Sequence, residues 1–168
     1  MKIPRNLAKL TELFQKCGAP DPQSWASSQI NEGIPQLQRY LFLRQAWKQV
    51  VQDGDDGWIG RYIEAHKQDP RGPYADVGRV LHACVDKGIA PADLTALARG
   101  LQAELLFSLC YMLDDPGTPE PELQDLQWGL FEVDEDGNPA LPRISGLHES
   151  VLHTDPTGRE MCPKEPKP

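Results

Sequence analysis

The 168-residue sequence contains no Cys-x-x-Cys pair and few aromatic residues, 7% of the chain. No stretch in it approaches the ~18 consecutive apolar residues that a membrane-crossing helix needs. Each shortage excludes something. The four cysteines, Cys17, Cys84, Cys110 and Cys162, are separated by 67, 26 and 52 residues, so no zinc knuckle or thioredoxin-type site is written here. They are read as reduced thiols. The start, Met1-Lys2-Ile3-Pro4-Arg5-Asn6, lacks the apolar run of a signal peptide, and a cytoplasmic location with no membrane contact is expected. Also missing are a Gly-x-Ser-x-Gly elbow, a phosphate-binding glycine loop and a Gly-x-Gly-x-x-Gly turn. Two Glu-x-x-His pairs, as in di-iron bundles, are missing too. No cofactor is expected.

Positive charge is in short supply. The formal net charge is −8 and falls along the chain: +4 over residues 1–52, −3 over 53–113 and −9 over 114–168. Such a surface repels phosphate backbones, which argues against nucleic-acid binding. The acidic last third suits a basic protein partner or simple solubility. A helix-turn-helix over Val77 to Leu113 fails because its second helix carries leucines where base-reading polar groups are needed.

Helical spacing of apolar residues is abundant. The pattern predicts helices over Arg5–Lys16, Pro22–Asn31, Pro35–Gln52, about 57–69, Tyr74–Lys87 and Pro91–Leu113. Asp21 and Asp55 or Asp56 are the expected N-caps, with Gly18 and Gly88 as stops. The apolar set Leu94, Leu97, Leu101, Leu105, Leu106, Leu109, Met112 and Leu113 is so broad that this last helix is expected at the centre, buried on more than one side. After residue 125 two short strands are predicted, Trp128–Val133 and 141–147, joined by the turn Asp134–Pro139. The fold class expected is mainly α, a five- to six-helix bundle-like domain with a small C-terminal β-hairpin. Residues 1–160 are read as one domain with the hairpin docked on the leucine-rich helix, and residues 161–168 as a flexible tail.

Candidate sites are few. The acidic clusters at Asp53–Gly57 and Asp134–Asn138 fail the calcium-loop register, since glycine falls at the wrong position in each. Capping and turning explain both. His148 and His153 lie five residues apart, one more than the zinc-protease spacing, which on a helix separates the rings by about 140°. No metal site is expected. The loop still concentrates His148, Glu149, His153, Asp155 and Arg159 within twelve residues. Polar groups gathered on a loop more often bind something than groups scattered on helices. Glu104, Tyr111 and Trp128 could join them if the hairpin docks on the leucine-rich helix. These eight residues are the candidate binding set. The function expected is a non-enzymatic protein-binding domain, of the inhibitor, immunity or adaptor kind; a homo-oligomer is compatible with it. The alternative is a small hydrolase-like enzyme using His148, Glu149, His153 and Asp155, with Arg159 orienting an anionic substrate.

Overall fold

The computed structural model describes residues 3–163; the expected tail falls outside them from residue 164 onward. The fold is mainly α with a C-terminal hairpin, as the periodicity requires. Its helices are α1 (Leu7–Lys16), α2 (Pro22–Glu32), α3 (Gln36–Trp47), α4 (Gly57–Gln68), α5 (Ala75–Asp86), α6 (Pro91–Asp114) and α7 (Leu147–Val151). Strands β1 (Leu130–Val133) and β2 (Pro139–Ile144) pair antiparallel. The chain divides into two compact units: Met1–Trp47 with Glu104–Pro168, and Lys48–Ala103.

In the first unit, Asn6 and Asp21 cap α1 and α2 by accepting from Lys9 N (3.2 Å) and Ser24 N (3.1 Å). The apolar stripes of α1, α2 and α3 meet in a core of Leu10, Phe14, Trp25, Ala26, Leu37 and Tyr40. Phe14, Trp25 and Tyr40 form a ring cluster with centroids 5.6–6.1 Å apart. Arg44 interrupts the stripe of α3 in order to reach the end of α1. Its Nη1 donates to Cys17 O at 2.8 Å, beside the Tyr40 hydroxyl at 3.2 Å. Both donors sit on a carbonyl that the end of α1 leaves open. Farther along α3, Leu43 and Trp47 are buried, as are Leu147 and Val151 of α7.

Hairpin register pairs Leu130 with Ile144 and Val133 with Pro139, with an irregularity between Leu130 and Glu132. Its turn is closed by Asp134, whose Oδ1 accepts from the backbone N–H of Asp136 (3.0 Å) and of Asn138 (2.8 Å). The bonds from Asn138, backbone and side chain, chiefly hold the Asp134 carboxyl below the usual range.

The second unit is built on Trp58, Ile59, Leu81 and Leu94. Helices α4 and α5 approach closely at Gly78, where an added Cβ would lie 2.1 Å from Tyr62 O. A polar chain crosses the core: Trp58 Nε1 donates to Thr95 Oγ1 (3.0 Å), which donates to Asp56 Oδ1 (2.6 Å). Arg99 Nη1 donates to Val51 O (2.9 Å), and Gln102 Oε1 accepts from Val51 N (2.7 Å).

Helix α6 departs from expectation. It is not buried on more than one side: Leu97, Leu101, Leu105, Leu109 and Met112 are exposed. The buried seam instead holds Leu94, Thr95, Arg99, Ala103 and Cys110. Thr95 and Arg99 face inward because backbone and carboxylate partners wait there, and a buried polar group with partners costs little. The turn of helix that they occupy rotates the leucines outward.

Candidate functional site

The eight candidate residues do not converge; they fall into separate settings. The first is the C-terminal end of α6. His148 Nδ1 lies 2.6 Å from Asp114 Oδ2, which also accepts from His148 N at 2.9 Å. The imidazole meets Phe107 and Tyr111 edge-on, at 5.8 and 5.0 Å between centroids. Tyr111 Oη donates to Asp115 Oδ2 (3.2 Å), and Trp128 Nε1 to Met112 O (2.9 Å). Arg143 donates to Asp114 O. The last carbonyls of α6, which have no partner inside the helix, are thus taken up by side chains from the hairpin and the segment before it. Tyr111, Trp128 and His148 are therefore brought to one helix end, where they serve as anchors. Glu104 is exposed on α6, and among these anchoring bonds it has no part.

The second setting is a cleft of about 400 Å³ lined by residues of α2 and α3 together with Glu149, Ser150 and His153. The His153 ring lies 5.7 Å from the Trp25 ring, and its Nδ1 lies 3.5 Å from Glu160 Oε1. Arg39, on the inner side of α3, is 8% exposed, and its Nη1 makes one long bond, 3.5 Å, to Ser150 Oγ. Burial lowers its pKa, against the pull of Glu149, Asp114 and Glu32.

The third setting is the turn that follows Thr154. Asp155 is buried, and its carboxylate accepts from Thr157 Oγ1 (2.6 Å), Thr157 N (3.1 Å) and Met161 N (3.1 Å). Arg159 Nη1 donates to Cys162 O at 3.0 Å. Both residues thus shape the turn that they belong to. Among the described residues no three His, Cys, Asp or Glu side chains gather where a metal ion could be held.

Sequence reasoning missed Arg39, Trp25, Gln36 and Asp114. Arg39 left one signal, a cation one residue from Tyr40 within a helical stretch. Asp114 lies just past the expected helix end at Leu113, and its pairing with His148 spans 34 residues. The chain matches no family model, no curated protein and no solved structure.

Proposed function

We propose that this chain is a cytoplasmic protein-binding domain that receives a basic, amphipathic segment of its partner on the C-terminal half of α6. The observation that carries this reading is the exposure of Leu105, Leu109 and Met112, at 59%, 46% and 51%. They stand at i, i+4 and i+7 and so share one helix face. Leu123 and Leu126, exposed in the segment that follows, extend the apolar character. Contiguous apolar surface of this kind marks interaction sites on soluble proteins. Charge supplies the partner's chemistry: from Gly100 to Pro142 the chain has ten carboxylates and no Lys or Arg. A basic segment is drawn to that field, and its apolar side covers the leucines. The four free cysteines agree with a reducing compartment. Among the described residues no helix is long and apolar enough to cross a membrane.

The test is affinity capture with the wild-type chain and with a Leu105→Gln/Leu109→Gln variant, side by side. A basic protein retained by the wild type, lost from the variant and eluted by moderate salt is the expected result. Identical capture by both chains, or an acidic partner, overturns the reading. A native mass of twice the monomer that the variant abolishes would replace it with self-association.

A further inference from the structure

The cleft between α2, α3 and α7 is lined in part by Trp25, Gln36 and Arg39, and each of these residues carries one buried side-chain atom without a hydrogen-bond partner: Trp25 Nε1, Gln36 Oε1 and Arg39 Nε. Their residues are 6%, 7% and 8% exposed. Buried polar groups are nearly always bonded, and an unpaired one costs on the order of 1–3 kcal/mol. Three such residues lining one cleft are a concentration, and the chemistry of their unpaired atoms is directional. Two are donors and one is an acceptor. The Arg39 guanidinium makes one long hydrogen bond, to Ser150 Oγ, and lies in the field of Glu149, Asp114 and Glu32.

The charges around the cleft narrow the ligand. Arg39 stands with Glu32 and Glu149, one guanidinium against two carboxylates. A plain anion such as phosphate would be drawn to Arg39 and repelled by two carboxylates. A plain cation would be drawn to the glutamates and repelled by Arg39. A molecule carrying a carboxylate and an ammonium group meets both demands. Its carboxylate is drawn to the Arg39 guanidinium, and its ammonium faces Glu32 and Glu149. The Trp25 and His153 rings, 5.7 Å apart and tilted 34° to each other, stand beside the remainder. The cleft volume of about 400 Å³ falls within the range of small-molecule sites, with room for a single amino acid. We infer that this cleft binds a free α-amino acid, held at both its carboxylate and its ammonium group.

The experiment follows the indole N–H resonance of Trp25 in the ¹⁵N-labelled chain during titration with glycine, L-leucine, L-phenylalanine and L-lysine. The N-acetyl derivative and the amide of each are titrated in parallel. Expected is saturable movement with at least one free amino acid. Its N-acetyl form, without the ammonium, and its amide, without the carboxylate, should bind about tenfold more weakly or worse. Glu149→Gln, at an exposed position, should weaken binding about fivefold while leaving the spectrum otherwise folded. The inference is overturned if no amino acid moves the resonance by about 20 mM. It is equally overturned if a blocked form binds as well as the free one, or if Glu149→Gln changes nothing. Silence throughout would mean that water alone fills the cleft.

Discussion

Trp47 and Val151, 104 residues apart in the chain, are joined by a hydrogen bond of 3.0 Å from the indole Nε1 to the backbone carbonyl. Both side chains are buried, and the same Nε1 lies 3.2 Å from Thr154 Oγ1. The last turn of α3 is thereby tied to the end of α7. Trp47→Phe keeps most of the apolar bulk and removes the donor, so it should cost about 1–3 kcal/mol. Trp47→Ala adds a cavity and should cost about 3–5 kcal/mol. Urea-unfolding midpoints of the two variants against wild type check both values.

Two glycines in the second unit should respond in opposite directions. At Gly78 an added methyl meets Tyr62 O at 2.1 Å and His66 Cβ at 2.7 Å, contacts that only a shift of backbone relieves. Gly78→Ala should therefore destabilise by about 1–3 kcal/mol or more, the usual cost of overpacking. At Gly60, within α4, nothing lies within 4 Å of the added Cβ. There the better helix propensity of alanine should stabilise by about 0.5–1 kcal/mol. Thermal melts of the two variants should move to opposite sides of the wild type.

Cys110 is 1% exposed, and burial pushes its thiol up from an ordinary 9.0 to about 12. In the unfolded chain the same thiol ionises near 9, so the neutral form favours the fold. Its contribution is complete below about pH 9 and is lost as pH rises from there toward 12. Cys110→Ala should flatten the fall in stability across that alkaline window, as read by denaturant midpoints at stepped pH. Alkylation by iodoacetamide at about pH 8 should reach the exposed Cys162 first and Cys110 last, because the reactive species is the thiolate.

The His148–Asp114 contact predicts a loss on truncation. Asp114→Ala removes the acceptor of two bonds from one residue, the backbone N–H and the ring of His148. A cost of about 1–3 kcal/mol is expected, with His148 ring signals moving as the Tyr111 and Phe107 contacts loosen. An unfolding midpoint and a proton spectrum unchanged from wild type would contradict this.

Much of the fold was legible because its punctuation is local. Asp21, Gly18 and Gly88 mark helix ends through caps and positive φ angles, and both follow from residue type. The short hairpin strands follow from alternation and from the acidic turn with its Gly137-Asn138 pair. What escapes the sequence is decided by distant partners. Hydropathy assigns the leucines of α6 to the interior, yet Thr95 and Arg99 take that place, because Asp56 and Val51 O satisfy them there. The helical rhythm of Val50 and Val51 carries α3 on to Gln52, whereas the helix stops at Trp47 and the backbone of Val51 is claimed by Arg99 and Gln102. Helix α7, five residues long, is too short for any period to register. The density of polar groups in the candidate loop is plain in the sequence; their directions are not. Its members part company because α7 sends His148 toward α6 and leaves Glu149 and His153 to the cleft, while Asp155 closes its own turn.

The compact unit Lys48–Ala103 is an uninterrupted stretch, while the other is assembled from two pieces that flank it. On a ribosome this has a temporal meaning. The first three helices emerge long before Val151, their partner, exists. Until then the carbonyl that Trp47 is to meet has not been made, and the apolar faces of α1 to α3 can pack only on one another. Residues 48–103 make up their unit from one unbroken span of chain. Contacts over a hundred residues apart close slowly, since the chain entropy is lost before the bond is gained. A nascent chain stalled short of residue 147 would thus leave Leu43 and Trp47 still lacking α7, a natural handhold for chaperones during synthesis.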